Sequence, residues 1–292
     1  MTRLGLVRKT LRDARGATIG IGSVIAGIAL LDVLIYPSYK DTLQDFEIPE
    51  AMKGLLGEAG SIATPEGFLT AEFFSWVPLL LITLAIISGT AAFAGEEANG
   101  TLDLLLAQPV KRWRLAVEKG LALTIAVVLA AAASLVGFAL GKSWAEIEVS
   151  MGRIGAAVAN MLPISLLFLM LSLWLSAALP TRGTAASLVT GLVVVTYFVH
   201  LVGDLAPALE TIRKVSPFYW AEPSLVLMNG FNWWRAGGLL AIALAFGALA
   251  VWSLERREIS QGSRDWSIRK ATTIRRAPGS ERRSKQPGTS AA

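Results

Sequence analysis

Apolar residues in this 292-residue chain gather into six long runs separated by short polar segments. The runs cover Ala17 to Tyr36, Phe74 to Ala94, Leu121 to Leu140, Ile154 to Leu179, Thr184 to Val202 and Ala236 to Leu254. Each is close to the ~20 residues a helix needs to cross ~30 Å of hydrocarbon, and within them only Asp32 and His200 are ionisable. Buried helices of soluble proteins can be apolar all round, but they usually run roughly 10–14 residues and rarely come six in succession. The pattern predicts an all-α integral membrane protein with six transmembrane helices. Pro78 and Pro163 fall inside the second and fourth runs, where a missing backbone donor predicts kinks; transmembrane helices tolerate such prolines with or without a hinge role.

Composition agrees with the periodicity. Hydrophobic residues make up 53% of the chain and charged residues only 17%, with a mean hydropathy of +0.55, too apolar for a water-facing surface. The net charge of +5 lies in loops and tails rather than on a folded basic face, which points to anionic lipid and away from nucleic acid. Its placement orients the chain, because cytoplasmic flanks carry the excess of Lys and Arg. With the N-terminus inside, twenty of the 27 basic residues fall on the cytoplasmic side, so both termini are expected in the cytoplasm of a bacterial inner or plasma membrane. A signal peptide would need a shorter apolar run and a small-residue cleavage site before Tyr36, so the first span is expected to stay. The absence of cysteine excludes disulfides, thiolate metal sites and cysteine nucleophiles.

Three domains are expected. Residues 1–16 place Leu4, Val7, Leu11 and Ala14 at helical spacing among five basic residues, which predicts an interfacial helix lying flat before the first span; anchoring and partner contact, or a plain positive-inside flank, are both open. Residues 17–254 form the membrane domain. Residues 255–292, rich in Arg, Ser, Gly and Pro without apolar periodicity, are expected to be a disordered basic cytoplasmic tail. The outer loop from Pro37 to Glu72 is acidic, with a short helix expected near Pro49. The outer segment before the last span carries Phe218, Tyr219, Trp220, Phe231, Trp233 and Trp234, suited to an interfacial aromatic belt.

Few residues offer chemistry. Gly137 to Ser143, GFALGKS, looks like a phosphate-binding loop but is one residue short and has no strand before it; Gly137 and Gly141 read instead as a pair that lets helices approach closely. Similar ridges run through Gly16, Gly20, Ser23 and Gly27, and through Gly183, Ser187 and Gly191. Asp32, about a turn from the outer end of its span, and His200, the only histidine, are the candidate substrate-pathway or proton groups. An interfacial or locally bonded Asp32 and a structural His200 are the alternatives. No Ser/His/Asp set, metal-ligand cluster or paired intramembrane carboxylates occur, which argues against an enzyme.

The loop between the second and third runs reads GEEANGTLDLLLAQPVKRWRLAVEKG, Gly95 to Gly120. Leu102, Leu105 and Leu106 sit at i, i+3 and i+4, with Leu104 widening the apolar face and Glu96, Glu97 and Asp103 left for water. Pro109 ends this short helix, and Lys111, Arg112 and Arg114 open the next. On physics alone it is a stiff amphipathic strut or a turn between two spans.

This loop resembles the signature of the type-2 ABC exporter permeases. The matching residues are Glu96, Glu97, Gly100, Thr101, Leu102, Asp103, Leu104, Leu105, Pro109, Val110, Arg112 and Lys119, within the same six-span order; Ser216, Pro217 and Phe218 before the last span add a weaker likeness. The resemblance implies a membrane subunit without ATPase motifs, working as a homodimer or related heterodimer with two separate ATP-binding subunits that hold ATP and Mg²⁺. It further implies that the loop is a coupling helix, with Glu96, Glu97, Gly100, Thr101 and Asp103 at the ATPase contact and Lys111 and Arg112 flanking it. The expected cargo, a hydrophobic small molecule or lipid exported from the cytoplasm, follows from the lack of a wide polar lining. An ion- or proton-driven secondary transporter, which would want mid-membrane ionisable groups or an inverted repeat, is the alternative.

Overall fold

The structure is a computed structural model that describes residues 5–44, 64–98, 111–145, 147–205, 210–221, 226–227 and 230–256. Among the described residues the regular elements are all helical, and six helical stretches are long and apolar enough to cross a membrane. In chain order these are α1 (Gly5–Gln44), a broken second span, α5 (Arg112–Lys142), a broken fourth span, α8 (Arg182–Leu205) and α11 (Trp233–Arg256). The all-α, six-span reading of the sequence therefore holds. Residues 45–63 of the acidic loop with the helix expected near Pro49, residues 99–110 of the Gly95–Gly120 loop and the tail beyond Arg256 lie outside the described residues.

The second span is assembled from α2 (Pro65–Leu69), a π-helical turn at Thr70–Phe74, α3 (Val77–Thr90), a second π-helical turn at Ala91–Gly95 and the stub α4 (Glu96–Ala98). Thr64 caps α2 by accepting from the Gly67 N–H at 3.1 Å. The chain breaks at Ser75 and Trp76, so Pro78 stands in the first turn of α3. The fourth span likewise joins α6 (Met151–Asn160) to α7 (Leu162–Ala178) through a turn at Met161, with Pro163 in the first turn of α7. Both prolines thus start helices, where the missing N–H has no helical partner to lose, rather than bending continuous ones.

At its start α1 runs without interruption: Gly5–Gln44 is one helix, so the described part of the basic segment joins the first span without a break in the backbone. Nothing between Arg15 and Ala17 interrupts the backbone ladder, and the Thr18 hydroxyl donates to the Ala14 carbonyl at 3.0 Å across the junction.

Spans two and four supply the centre of the bundle, while spans one, five and six turn most of their apolar surface outward. α1 packs most extensively on α5, and the fourth span packs on the second and sixth. Gly137 and Gly141 make the α1–α5 seam possible: a Cβ at Gly137 would stand 2.1 Å from the Ala26 carbonyl oxygen, and one at Gly141 would stand 2.7 Å from Val33 Cβ. The close approach read from the sequence is real and internal to the chain. The other two ridges face outward, with nothing within 4 Å of a Cβ at Gly16, Gly20, Gly27, Gly183 or Gly191. Phe73 and Phe74, projected by the first π turn, lock that seam by packing on Phe138 with ring centroids 4.8 and 6.1 Å away.

A second apolar cluster gathers Phe168, Val189, Phe218 and Leu239 around Ile82. Ser216 organises it. Its hydroxyl donates to the Thr196 carbonyl at 2.7 Å and accepts from the Phe218 N–H at 3.2 Å. This starts the short helix α10 (Pro217–Ala221), which follows the single turn α9 (Glu210–Arg213), and drives Phe218 inward. Buried Asn160 then ties α6 to α10 by donating to the Ala221 carbonyl at 2.7 Å.

Candidate coupling site at the Glu96 end of the bundle

The second span leaves the bundle through the π turn at Ala91–Gly95. A π turn carries one residue more than an α-helical turn and disturbs the i→i−4 ladder, so its backbone groups need outside partners. Ser176 of α7, wholly buried, supplies one set. Its oxygen accepts from the Phe93 and Ala94 N–H groups at 3.1 and 3.0 Å, and its O–H donates to the Thr90 carbonyl at 2.9 Å.

Lys119 of α5 supplies the other. Its ammonium is buried, donates to the Ala92 carbonyl and to the Glu96 carboxylate, and lies 5.1 Å from the Phe93 ring centre. Lys9 of α1 approaches the second oxygen of the same carboxylate at 3.5 Å. Glu96 is therefore shared by spans one and three. A charge taken this far out of water demands such partners, because an unpaired buried ammonium costs several kcal/mol.

Neighbouring contacts tie the remaining spans to this end. Arg182, at the start of α8, donates to the Ile87 carbonyl at 3.2 Å. Arg112 donates to the Leu254 and Glu255 carbonyls at 3.4 Å, joining the start of α5 to the end of α11. A cavity of 470 Å³ opens among these groups, lined in part by Lys9, Asp13, Ser88, Glu96, Lys119 and Arg182.

Of the residues expected at the ATPase contact, Glu96 points inward to Lys119 and Lys9, while Glu97 is exposed. Lys111 is exposed and extended, accepting from the Arg114 N–H at 3.0 Å as the first turn of α5 forms. Arg112 faces α11. Gly100, Thr101 and Asp103 lie outside the described residues. Sequence reasoning missed the roles of Lys9 and Ser176 altogether.

The two pathway candidates occupy unrelated surroundings. Asp32 of α1 has a buried Oδ2 without a hydrogen-bond partner among the described residues, and Glu72 lies within electrostatic range. His200 of α8 stacks on Phe218 at 6.4 Å between ring centres. Among the described residues no cluster of three or more His, Asp or Glu has metal-binding geometry.

Comparison with known proteins gives two findings. The family model described as "ABC-2 family transporter protein" matches residues 4–259, which covers all six spans. A Pseudomonas aeruginosa protein named "Probable ABC transporter permease protein NosY" is 28% identical over 216 residues, covering 67% of this chain and 76% of that protein.

Proposed function

Because the chain belongs to the ABC-2 transporter family, we propose that it is the membrane half of an ATP-driven exporter, moved by a separate ATPase through the segment that follows Glu96. It is a multi-pass membrane protein and an ABC transporter permease subunit, and its family implies partnership with an ATP-binding subunit. Beyond this, the reading places both termini and the Gly95–Gly120 loop in the cytoplasm. It pairs two copies of the permease, or one with a related chain, with two ATPase subunits that bind ATP and Mg²⁺.

One observation carries the coupling role. Glu96, at the exit of the second span, is bound to Lys119 of the third span and Lys9 of the first. A load applied to residues 97–111 is then passed to three spans rather than absorbed by a loose loop. For ATP to do work here, the ATP-bound and ATP-free partner must hold that segment differently, since a partner indifferent to the two states shifts neither. Glu97, Gly100, Thr101, Asp103 and Lys111 are the proposed contact residues, with Arg112 bracing the loop's far end against α11. The cargo that suits apolar spans is a hydrophobic small molecule or lipid.

The test is reconstitution with the ATPase subunit. Glu97→Lys and Gly100→Pro are expected to abolish transport and permease-dependent ATP hydrolysis while leaving the chain inserted; unchanged activity in both refutes the coupling role. The rival, a proton-driven carrier, draws on the Asp32 carboxylate, whose Oδ2 has no hydrogen-bond partner among the described residues and which lies within electrostatic range of Glu72. Transport driven by a pH gradient in vesicles without the ATPase would favour it.

A further inference from the structure

A serine inside a transmembrane helix ordinarily returns its hydroxyl to its own carbonyl ladder. Ser165 and Ser172 do so, donating to the Met161 and Phe168 carbonyls at 2.8 and 2.7 Å. Ser176, on the same helix, spends its hydroxyl entirely on another span. A hydroxyl has one donor and two acceptor positions, and all three are used on the Ala91–Gly95 turn: Phe93 N–H, Ala94 N–H and the Thr90 carbonyl. The turn is also gripped by Lys119 at the Ala92 carbonyl and covered by Arg182, whose Cδ lies 3.7 Å from where a Gly95 Cβ would stand.

A π turn held by external partners has an alternative. If Ser176 releases it, the segment can close into regular α-helix by giving up one residue. An α-helix advances about 100° and ~1.5 Å per residue, so everything after Gly95 would rotate and shift by roughly that much. The first group so moved is Glu96, followed by exposed Glu97. The converse also follows: rotation imposed on Glu96 and Glu97 from outside strains the three bonds to Ser176 and pulls on α7, which lies at the centre of the bundle.

We propose that Ser176 is a positioning residue for coupling: its hydroxyl holds Ala91–Gly95 as a π turn in one nucleotide state and yields it to α-helix in the other, carrying motion of the Glu96 end into the fourth span. The proposal rests on the coupling reading above, and it assigns that reading a two-state element, the physical requirement for transmission between distant sites.

The experiment uses the assembled complex with its ATPase in lipid nanodiscs. Hydrogen–deuterium exchange of peptides covering residues 88–98 is compared with ADP and with ATP plus vanadate, alongside ATP turnover. Wild type is expected to show nucleotide-dependent exchange at Phe93 and Ala94. Ser176→Ala is expected to lose that dependence, with exchange at both amides at least fivefold faster in either state and permease-dependent turnover down at least threefold. Ser176→Thr, which keeps the hydroxyl, should restore both. Ser165→Ala, equally buried but bonded only within its own helix, should behave as wild type. Should Ser176→Ala fail to assemble, Ser176→Cys, a weak hydrogen-bonding substitute, carries the same comparison. A Ser176 variant that lacks the hydroxyl yet retains the nucleotide response and turnover overturns the proposal alone. A wild-type complex without any nucleotide response at residues 88–98 overturns the coupling reading and the proposal together.

Discussion

Glu96→Ala isolates the Lys119–Glu96 pair, the most buried ion pair among the described residues. The Lys119 side chain is 3% exposed and that of Glu96 18%, so among the described residues the mutation leaves a buried ammonium in contact with the Ala92 carbonyl and the Phe93 ring, with Asp13 in electrostatic range. Removing one member of a buried pair costs about 3–5 kcal/mol. The ceiling is about 4.6 kcal/mol, the cost of deprotonating an ordinary lysine at pH 7. Residual solvent at Glu96 and the surviving carbonyl bond place the expected loss near the lower end, about 3 kcal/mol. Replacing both partners is a different matter, because a buried pair exchanged for neutral groups of similar volume is often nearly neutral. Glu96→Gln with Lys119→Met is therefore expected to lie within about 1 kcal/mol of wild type, and a double-mutant cycle whose singles are Glu96→Gln, which strands the same ammonium, and Lys119→Met is expected to return a coupling energy of about 2 kcal/mol or more. Reversible unfolding by SDS in mixed micelles, followed through the nine tryptophans, measures it. A Glu96→Ala protein within about 0.5 kcal/mol of wild type, or a double variant equal to the sum of its singles, would show that the pair is not the anchor described here.

Two further predictions concern packing and follow from the helix seams. Gly137→Ala forces a methyl into the Ala26 carbonyl oxygen and should destabilise the bundle by about 1–3 kcal/mol, whereas Gly20→Ala, with open space around it, should change the same unfolding midpoint negligibly. Asn160→Ala strands the buried Ala221 carbonyl and is expected to cost about 1–3 kcal/mol, read from the same titration and from faster proteolysis of the segment around residues 217–221.

The spans were legible because lipid leaves a long apolar run few options: a helix that satisfies its own backbone is the stable arrangement, and the six helical stretches match it. The Gly137–Gly141 seam was legible for a related reason, since two small residues one turn apart form a groove whatever packs there. Which partner fills a groove is a tertiary fact, and this is why the ridges on spans one and five looked equivalent to it in sequence and face outward in the structure. Gly89 adds a contact the sequence reading passed over: its Cβ position lies 2.6 Å from Ser172 Cβ, and it follows Ala85 by four residues in the same small-residue spacing.

At the candidate coupling site the split is sharper. The signature loop drew attention to Glu96 and Lys119, but not to their bond, and it suggested a Glu96 turned toward a partner rather than toward Lys119. Ser176 was invisible, because one serine in a span resembles another until the structure shows whose backbone it serves. The prolines were located correctly, but each opens a helix just after a turn, at Trp76 and at Met161, instead of kinking a continuous one.

The most direct test of the account is contact between the segment after Glu96 and an ATPase on the cytoplasmic side. The chain has no cysteine, so Glu97→Cys carries a single photo-crosslinking thiol reagent in the reconstituted complex. The account predicts covalent capture of the ATP-binding subunit, with labelling only by reagent that reaches the cytoplasmic face. Labelling from the outer face, or a complex in which position 97 captures no ATPase, would contradict it.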